Sequence, residues 1–302
     1  MSRRRRGRLI DGILLLDKPA GITSTQALNR AKHILDAQRG GHTGSLDPLA
    51  SGLLPLCFGE ATKMSAFLLD AEKRYEVEAR LGVATDTADA DGEVIETVPV
   101  PVLDEAAVEK VLEQFRGDIE QVPPMYSALK HQGERLYSLA RKGITVEREP
   151  RPVTIHELKL THLGTDTLGL EVRCSKGTYV RTLVEDIAKA LGTRGHVIAL
   201  RRTGVAGFGT DDRWVTLDEL EAGNEPEKLL LGADAALRDW PSMTLSPDLV
   251  HFFRHGQPVM LPRAPLDGWL CLYDQSQHFL GVGEVLEDGR VAPRRLIKAA
   301  AA

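Results

Sequence analysis

The sequence predicts an α+β protein: a mixed, mainly antiparallel sheet with flanking helices, followed by a small β-rich C-terminal domain. Apolar and polar residues alternate in RYEVEARLG and in LGLEVRCSKG, as expected of half-buried strands. Amphipathic helical patterns occur between such segments without the regularity of a βαβ repeat, which favours an antiparallel sheet. After Trp240 the pattern changes to short β segments, so we expect a second domain there.

The first elements follow in order from the N-terminus. GILLLDK (12–18) is predicted to be a buried strand, and a helix is expected over 23–37, where Thr23 and Gln26 fit a capping box. In the later strand RYEVEARLG, one face is formed by Tyr75, Val77, Ala79 and Leu81.

Two further helices are predicted by apolar spacing and by their end residues. LDEAAVEKVLEQFRG is expected to run from a cap at Asp104 to Gly117, and TYVRTLVEDIAKALG to end at Gly192. We place a domain boundary near 245, which gives a domain over 1–245 and a small one over 246–302.

Composition is typical of a globular protein. The chain has 302 residues, 42% hydrophobic and 27% charged, enough for one large domain and a small one. No apolar run approaches the roughly 20 residues that span a bilayer. Cys57, Cys174 and Cys271 lie far apart without a CxxC motif, which argues against a disulfide scaffold and fits a reducing cytoplasm.

Basic residues are clustered although the net charge is −5. The net charge gives no direct support for nucleic-acid binding, but local basic patches on an acidic protein can bind phosphates. Solvated surface charge is the alternative for each patch. The clusters are Arg3 to Arg6, a set within 124–151 (Lys130, Arg135, Arg141, Lys142, Arg148 and Arg151), and the group Arg194, Arg201 and Arg202.

Metal and cofactor motifs are not found. DTADADGEVIE, aligned on Gly92 as a calcium loop, has Thr87 and Val98 where acidic residues are needed, so we interpret it as an acidic turn. His251 and His255 have HxxxH spacing but no adjacent glutamate or third ligand. The sequence also contains no GxGxxG, P-loop or GxSxG motif, so we expect neither a metal nor an organic cofactor.

Asp47 is the one acidic residue in the glycine-rich stretch from Gly40 to Phe58, and it has two interpretations. Followed by Pro48, it fits the N-cap of a short helix. Glycines that allow close approach of a ligand favour a functional carboxylate, acting as nucleophile or base. Hydrolysis of a glycosidic bond usually needs two carboxylates, so a single one suits a reaction whose leaving group never departs.

Arg181 and Tyr75 also have two interpretations each. Arg181 is spaced for a surface ion pair with Glu185, or it points into a site and holds a carboxylate ionised. Tyr75 is a core residue of its strand, or it is a platform on which a base stacks.

The stretch GHTGSLDPLASGLLPLCFGEATK resembles the catalytic motif of the pseudouridine synthases, specifically the bacterial TruB family, which modifies uridine 55 of tRNA. Further blocks resemble that family in order and spacing, and the C-terminal segment is similar to its small PUA-like RNA-binding domain. These blocks are GILLLDKPAGITS, KRYEVEARLGVATDTADADGEV, PPMYSALKHQGERLYSLARKG, CSKGTYVRTLVEDIAKALG and ALRRTGVAGF.

The resemblance implies an activity and a site. It implies that the N1–C1′ bond of a flipped-out uridine is broken, the base is turned, and C5 is joined to C1′, without metal or cofactor. It implies that Asp47 is the catalytic aspartate, that Arg181 is its partner and that Tyr75 stacks on the base. The substrate-binding residues that we assign on this basis are His42, Tyr179, Leu200, Lys18, Lys130 and Arg141.

The resemblance also implies roles and partners. His42 is expected to fill the gap left in the RNA loop, Leu200 to pack by the flipped base, and Lys18 with Pro19 to buttress the site. The segment 124–151 is expected to be a mobile RNA-binding insertion. The expected partner is the T stem-loop of tRNA, bound by a cytoplasmic monomer that needs no protein partner or membrane.

Three other functions remain open from the sequence. A non-catalytic RNA-binding or RNA-folding protein would use the same groove, and folding assistance is compatible with catalysis. A related enzyme would act on ribosomal RNA or within a guide-directed complex. A nucleoside hydrolase would release free uracil. The site of attack by the aspartate, at C1′, at C6 or on a ribose proton, is also left open.

Overall fold

The computed structural model describes residues 7–127 and 129–298. The basic run Arg3 to Arg6 therefore lies outside the described residues. The helices are α1 (Ser24–Ile34), α2 (Ser65–Asp70), α3 (Glu105–Leu112), α4 (Leu136–Ala140), α5 (Val180–Ala190), α6 (Leu217–Ala222) and α7 (Pro247–Arg254).

The strands of the large sheet and of two separate two-stranded sheets precede α6. They are β1 (Gly12–Lys18), β2 (Gly40–His42), β3 (Ser51–Phe58), β4 (Lys73–Leu81), β5 (Val83–Thr85), β6 (Val94–Thr97), β7 (Gly117–Gln121), β8 (Lys130–His131), β9 (Glu134–Arg135), β10 (Arg151–Leu163), β11 (Thr167–Cys174) and β12 (Gly195–Val205). The two-stranded sheets are β5-β6 and β8-β9. The strands of the C-terminal sheet are β13 (Ser242–Thr244), β14 (Val259–Met260), β15 (Trp269–Tyr273), β16 (Phe279–Val285) and β17 (Arg290–Leu296).

The large sheet is mixed and mainly antiparallel, as predicted. Its strand order is β1-β3-β12-β4-β11-β10-β7, with β2 added beside β3. The β12–β3 contact is parallel, whereas β4 pairs antiparallel with both β11 and β12. The predicted α+β class is therefore confirmed, and β4, the strand of Tyr75, lies in the middle of the sheet.

The predicted starts of α1 and α3 agree with the capping groups that the structure shows. Thr23 and Gln26 form the complete capping box of α1, and Asp104 accepts a hydrogen bond from the backbone of Ala107 at the start of α3. Helix α3 is shorter than predicted, because the chain passes into a 3-10 turn after Leu112, and Gly117 begins β7.

Helix α5 packs its apolar face onto the main core. Leu183 and Ile187 are fully buried, and the chain turns at Gly192, whose φ of +80° suits a glycine. The same helix carries Arg181 in its first turn, so packing of the apolar face fixes the direction in which that side chain leaves the backbone.

The C-terminal sheet has its own small apolar core, as the sequence predicts for a β-rich domain. Its strand order is β13-β15-β16-β17-β14, and Phe253 of α7 is completely buried against it. Strand β13 precedes the boundary that we place near 245 and pairs in parallel with β15. The boundary itself stays a prediction.

An aromatic cluster joins the two sheets. The ring of Phe67 lies 4.9 Å from that of Trp240 and 5.5 Å from that of Trp269, both edge-on. Beside it, Lys63 Nζ donates to the carbonyl of Leu296 at 2.6 Å. Aromatic burial of this kind stabilises the contact between the two parts of the chain.

Within the described residues, none of the helices combines the length and the apolar character required to cross a bilayer.

Candidate active site

The loop between β2 and β3 carries Asp47 and is attached at several points. The backbone NH of Leu46 donates to Ser24 Oγ at 2.7 Å, and that of Gly21 donates to the carbonyl of Pro48 at 2.7 Å. At Asp47 the chain makes a turn in which the NH of Ala50 donates to its carbonyl, and no helix follows. The interpretation of Asp47 as a helix N-cap is therefore wrong.

Arg181 contacts the Asp47 carboxylate directly. Its Nε atom lies 2.9 Å from Asp47 Oδ2, while the Arg181 side chain is only 6% exposed and that of Asp47 40%. Its Nη1 donates to the carbonyl of Thr87 at 2.8 Å, and its Nη2 to the carbonyl of Tyr126 at 2.9 Å. The guanidinium is thus directed into the site, and the surface pairing with Glu185 is not what the structure shows.

A second carboxylate, Asp89, shares Arg181 and was missed by the sequence analysis. Its Oδ2 lies 3.5 Å from Arg181 Nη1, and its side chain is 8% exposed. Its Oδ1 accepts from Thr87 Oγ1 at 2.6 Å. The available signal was the acidic turn DTADADG, in which Asp89 stands between alanines. The interpretation as an acidic turn gave none of its carboxylates a role.

The protonation of Asp47 reflects opposing effects. Burial raises the pKa of Asp47, the Arg181 guanidinium lowers it, and Asp89 raises it again, with Lys18 as a weaker lowering influence. Arg181 is therefore the main group that favours the ionised carboxylate.

Lys18 is buried beneath this loop, at the end of β1. Its Nζ donates to the carbonyls of Pro19 at 2.8 Å and of Ile22 at 2.7 Å. Burial lowers the pKa of Lys18 to about 8, against the attraction of Asp47. The side chain thus fixes the turn that follows β1, at the edge of the site.

Tyr75 lies on the core-facing side of β4 and is partly exposed. Its ring packs against the main core, and its backbone pairs with Arg202 of β12 on one side and Val172 of β11 on the other. Burial raises the pKa of the Tyr75 hydroxyl, and the guanidinium of Arg202 beside it opposes this rise.

His42 ends β2, directly before the loop, and Leu200 lies on β12, the neighbour of β3 in the sheet. His42 is half-buried, and within the described part of the chain its Nδ1 has no hydrogen-bond partner. Burial lowers the pKa of His42, which favours the neutral ring. Leu200 is 7% exposed and borders a cleft of about 790 Å³ along the sheet, whose lining includes Ala20, Leu49, Ser51, Val77, Leu170 and Leu200.

Tyr179 is the residue that precedes α5, and the side chain of Gln121 forms two hydrogen bonds with its backbone. The amide of Gln121 accepts from the NH of Tyr179 at 3.0 Å and donates to its carbonyl at 3.3 Å. Gln121 is the last residue of β7, three positions before the segment 124–151 begins, and was not identified from the sequence.

Lys130 and Arg141 lie apart from this group, in the segment 124–151. Lys130 is exposed on β8, and Arg141 is exposed at the end of α4, where its guanidinium lies 5.8 Å from the ring of Tyr137. The structure therefore brings together Asp47, Arg181, Lys18 and Tyr75, and gives the two basic residues a separate surface.

No group of three or more histidine, cysteine, aspartate or glutamate side chains suited to a metal occurs among the described residues. The rings of His251 and His255 are tilted by 40° with centroids 4.4 Å apart, and His255 Nδ1 is hydrogen-bonded to the carbonyl of His251.

The chain is similar to models of protein families and to known proteins. The model described as TruB family pseudouridylate synthase (N terminal domain) matches residues 32–180. Residues 181–238 match the model described as tRNA pseudouridylate synthase B C-terminal domain, and residues 241–297 match the one described as Pseudouridine synthase II TruB, C-terminal.

The chain is 58% identical over 301 residues to a tRNA pseudouridine synthase B from Nitrosococcus oceani, covering 98% of this chain and 97% of that protein. It is 54% identical over 297 residues to one from Pseudomonas fluorescens, covering 96% and 97%.

Solved structures share the fold. A chain of a Cbf5-Nop10-Gar1 complex has a TM-score of 0.73 at 22% identity and covers 96% of this chain and 86% of its own. A chain of an H/ACA RNP bound to a substrate RNA containing 2′-deoxyuridine has a TM-score of 0.72 at 20% identity, covering 99% and 92%.

Proposed function

The chain belongs to the TruB family of pseudouridylate synthases, and on this premise we propose that it isomerises uridine 55 in the T-loop of tRNA. It is an isomerase, and the base stays within the RNA throughout. The N1–C1′ bond breaks, the C5–C1′ bond forms, a proton leaves C5 and a proton is gained at N1. The ion pair of Asp47 with Arg181 is the observation that carries the assignment of the site.

Asp47 is the carboxylate that acts on the uridine. A reaction that retains the base does not need a second acid to expel a leaving group, in contrast to glycoside hydrolysis. Because burial raises the pKa of Asp47, the catalytic form depends on the opposing charge of Arg181. Arg181 is a suitable partner, since its other nitrogens are held by the carbonyls of Thr87 and Tyr126.

The remaining site residues hold the flipped nucleotide. Extraction of a stacked base costs roughly a few kcal/mol, and stacking on an aromatic ring returns about 1–3 kcal/mol. Tyr75 provides that ring, Leu200 packs beside the base, and His42 fills the gap in the RNA loop. Tyr179 contacts the substrate from the start of α5, and Lys18 supports the loop from below.

RNA is held by surfaces outside this site. Lys130 and Arg141 contact phosphates from the segment 124–151, which is mobile without RNA, and the PUA-like domain over 246–302 provides further RNA contacts. The protein acts as a cytoplasmic monomer without metal, cofactor or protein partner, and it assists tRNA folding alongside catalysis.

The test is a single-turnover assay on unmodified tRNA transcript with tritium at C5 of its uridines. We expect release of tritium to water, pseudouridine in the digested RNA, and none of either from a transcript with cytidine at position 55. Free uracil as product would assign the chain to hydrolysis, and tight binding without tritium release would make it an RNA-binding protein.

A further inference from the structure

Arg202 is a buried cation whose contacts are directed at backbone carbonyls of the active-site region. The residue is 1% exposed, and within the described residues it forms no ion pair with a carboxylate. Its Nε donates to the carbonyl of Leu53 at 2.7 Å, and its Nη2 to the carbonyl of Gly44 at 3.2 Å. Burial of an unpaired charge is costly, so these hydrogen bonds are needed to retain it.

The position of Arg202 joins three parts of the site. Its backbone pairs in parallel with Gly52 of β3 and antiparallel with Tyr75 of β4. The approach to β3 is so close that a Cβ atom at Gly52 would lie 2.3 Å from the carbonyl oxygen of Arg202. Through Nη2 the same residue contacts Gly44, which lies three positions before Asp47. The φ of Gly44 is +108°.

We propose that Arg202 is a positioning residue, which fixes the loop of Asp47 relative to the strand of Tyr75 so that carboxylate and stacking ring keep a productive separation. This inference rests on the proposed function. The guanidinium can hold two carbonyls at once because its donors form a rigid fork. A lysine would reach one of them.

The charge of Arg202 also acts on residues assigned to the site. It lowers the pKa values of His42 and of Lys18, and it opposes the rise that burial causes in the pKa of Tyr75. After burial, the same charge also lowers the pKa of Lys73, which is not a site residue, so the positioning role rests on the contacts of Arg202 with Gly44 and Leu53.

Arg202→Lys and Arg202→Met, compared with wild type, provide the test. Single-turnover rates, tRNA dissociation constants and melting curves are measured well below the melting temperature. We expect the rate at saturating tRNA to fall about tenfold in the lysine variant and about a hundredfold in the methionine variant, since small misplacements of reacting groups have effects of this size. The dissociation constant should change less than about threefold.

A second readout separates positioning from folding. Hydrogen exchange at the loop amides of Thr43 and Leu46 should accelerate in both variants, while that of buried strand amides in β10 stays slow. The matched control is Arg116→Met, which removes a guanidinium that donates twice to the carbonyl of Leu158, at 3.0 and 2.7 Å. This variant should keep the wild-type rate.

Folded variants with rates within about threefold of wild type would overturn the inference. Loss of folding in both variants would assign Arg202 to the core and would overturn it as well. Wild-type protein that forms no pseudouridine would instead refute the proposed function, so the two failures are distinguishable.

Discussion

The Nε atom of Arg181 lies 2.9 Å from Oδ2 of Asp47, and the other two nitrogens of the guanidinium are used elsewhere. The two-pronged pairing that a guanidinium can make with one carboxylate is therefore not formed here. Arg181 instead joins Asp47 to the carbonyls of Thr87 and Tyr126, so that the carboxylate is held by a side chain that is itself immobile. Replacement of Arg181 should consequently affect more than one contact.

Arg181→Lys should lower the turnover rate by at least about tenfold although the charge is kept. An ammonium group can donate to Asp47 or to the carbonyls of Thr87 and Tyr126, but not to all three. Because a buried carbonyl left unpaired costs about 1–3 kcal/mol, the melting temperature should fall as well. Glu185→Gln is the matched control, and turnover should be unchanged there. Normal turnover in Arg181→Lys and in Arg181→Ala would remove Arg181 from the site.

Asp47→Asn should abolish pseudouridine formation and leave tRNA binding nearly intact. The amide preserves the shape of the side chain and can still accept a hydrogen bond from Arg181, but it cannot act as a nucleophile or base. Single-turnover assays and filter binding measure the two properties. Asp166→Asn, which removes an exposed partner of Arg80, serves as the control. Residual activity within about tenfold of wild type would contradict a catalytic role.

The segment 124–151 should exchange its amide hydrogens faster in the free protein than in the tRNA complex. Its basic residues would release counterions on binding, so affinity should decrease steeply as salt is raised. Hydrogen exchange with and without tRNA, and dissociation constants at several salt concentrations, are the measurements. Exchange that is equally slow with and without tRNA would show that the segment is already ordered in the free protein. Lys130→Ala should reduce the salt dependence, whereas Lys189→Ala on α5 should not.

Lys18 should make the free energy of unfolding depend on pH in the alkaline range. Its pKa is lowered from 10.5 to about 8 in the folded protein, so between these values the unfolded chain binds the additional proton. The contribution of Lys18 to stability therefore rises with pH across this window, by up to about 1.4 kcal/mol per pH unit. Denaturant titrations at several pH values give the free energy of unfolding of wild type and of Lys18→Met. Plotted against pH, the two free energies should differ in slope by this amount, and parallel plots would show that the pKa of Lys18 is not lowered.

Local patterns predicted the parts of the molecule that local forces determine. The capping box of α1, the core-facing side of β4 and the end of α5 at Gly192 each follow from residues within a few positions of one another. The resemblance placed Asp47 and Arg181 together, and the ion pair between them is present.

Contacts distant in sequence were not predictable in the same way. Asp89 reaches Arg181 from a turn that looks like a solvated acidic loop, and Gln121 clamps the backbone of Tyr179 from 58 positions away. Arg202 resembles any other basic residue of the ALRRTG segment until the sheet places it against Gly44 and Leu53. The sequence around such residues has no periodic pattern that reveals their role, because their partners are distant in sequence and are brought close only in the folded protein.

The aromatic cluster between the two sheets gives the protein an intrinsic optical reporter. Of its three tryptophans, Trp240 and Trp269 lie together at that contact, with ring centroids 6.1 Å apart. The third, Trp214, has the guanidinium of Arg201 at 5.3 Å from its ring. Two of the three tryptophans of the native chain therefore report on the junction of the two sheets. Separation of the C-terminal sheet while the large sheet stays folded would shift their emission to longer wavelength and would be visible without any added dye.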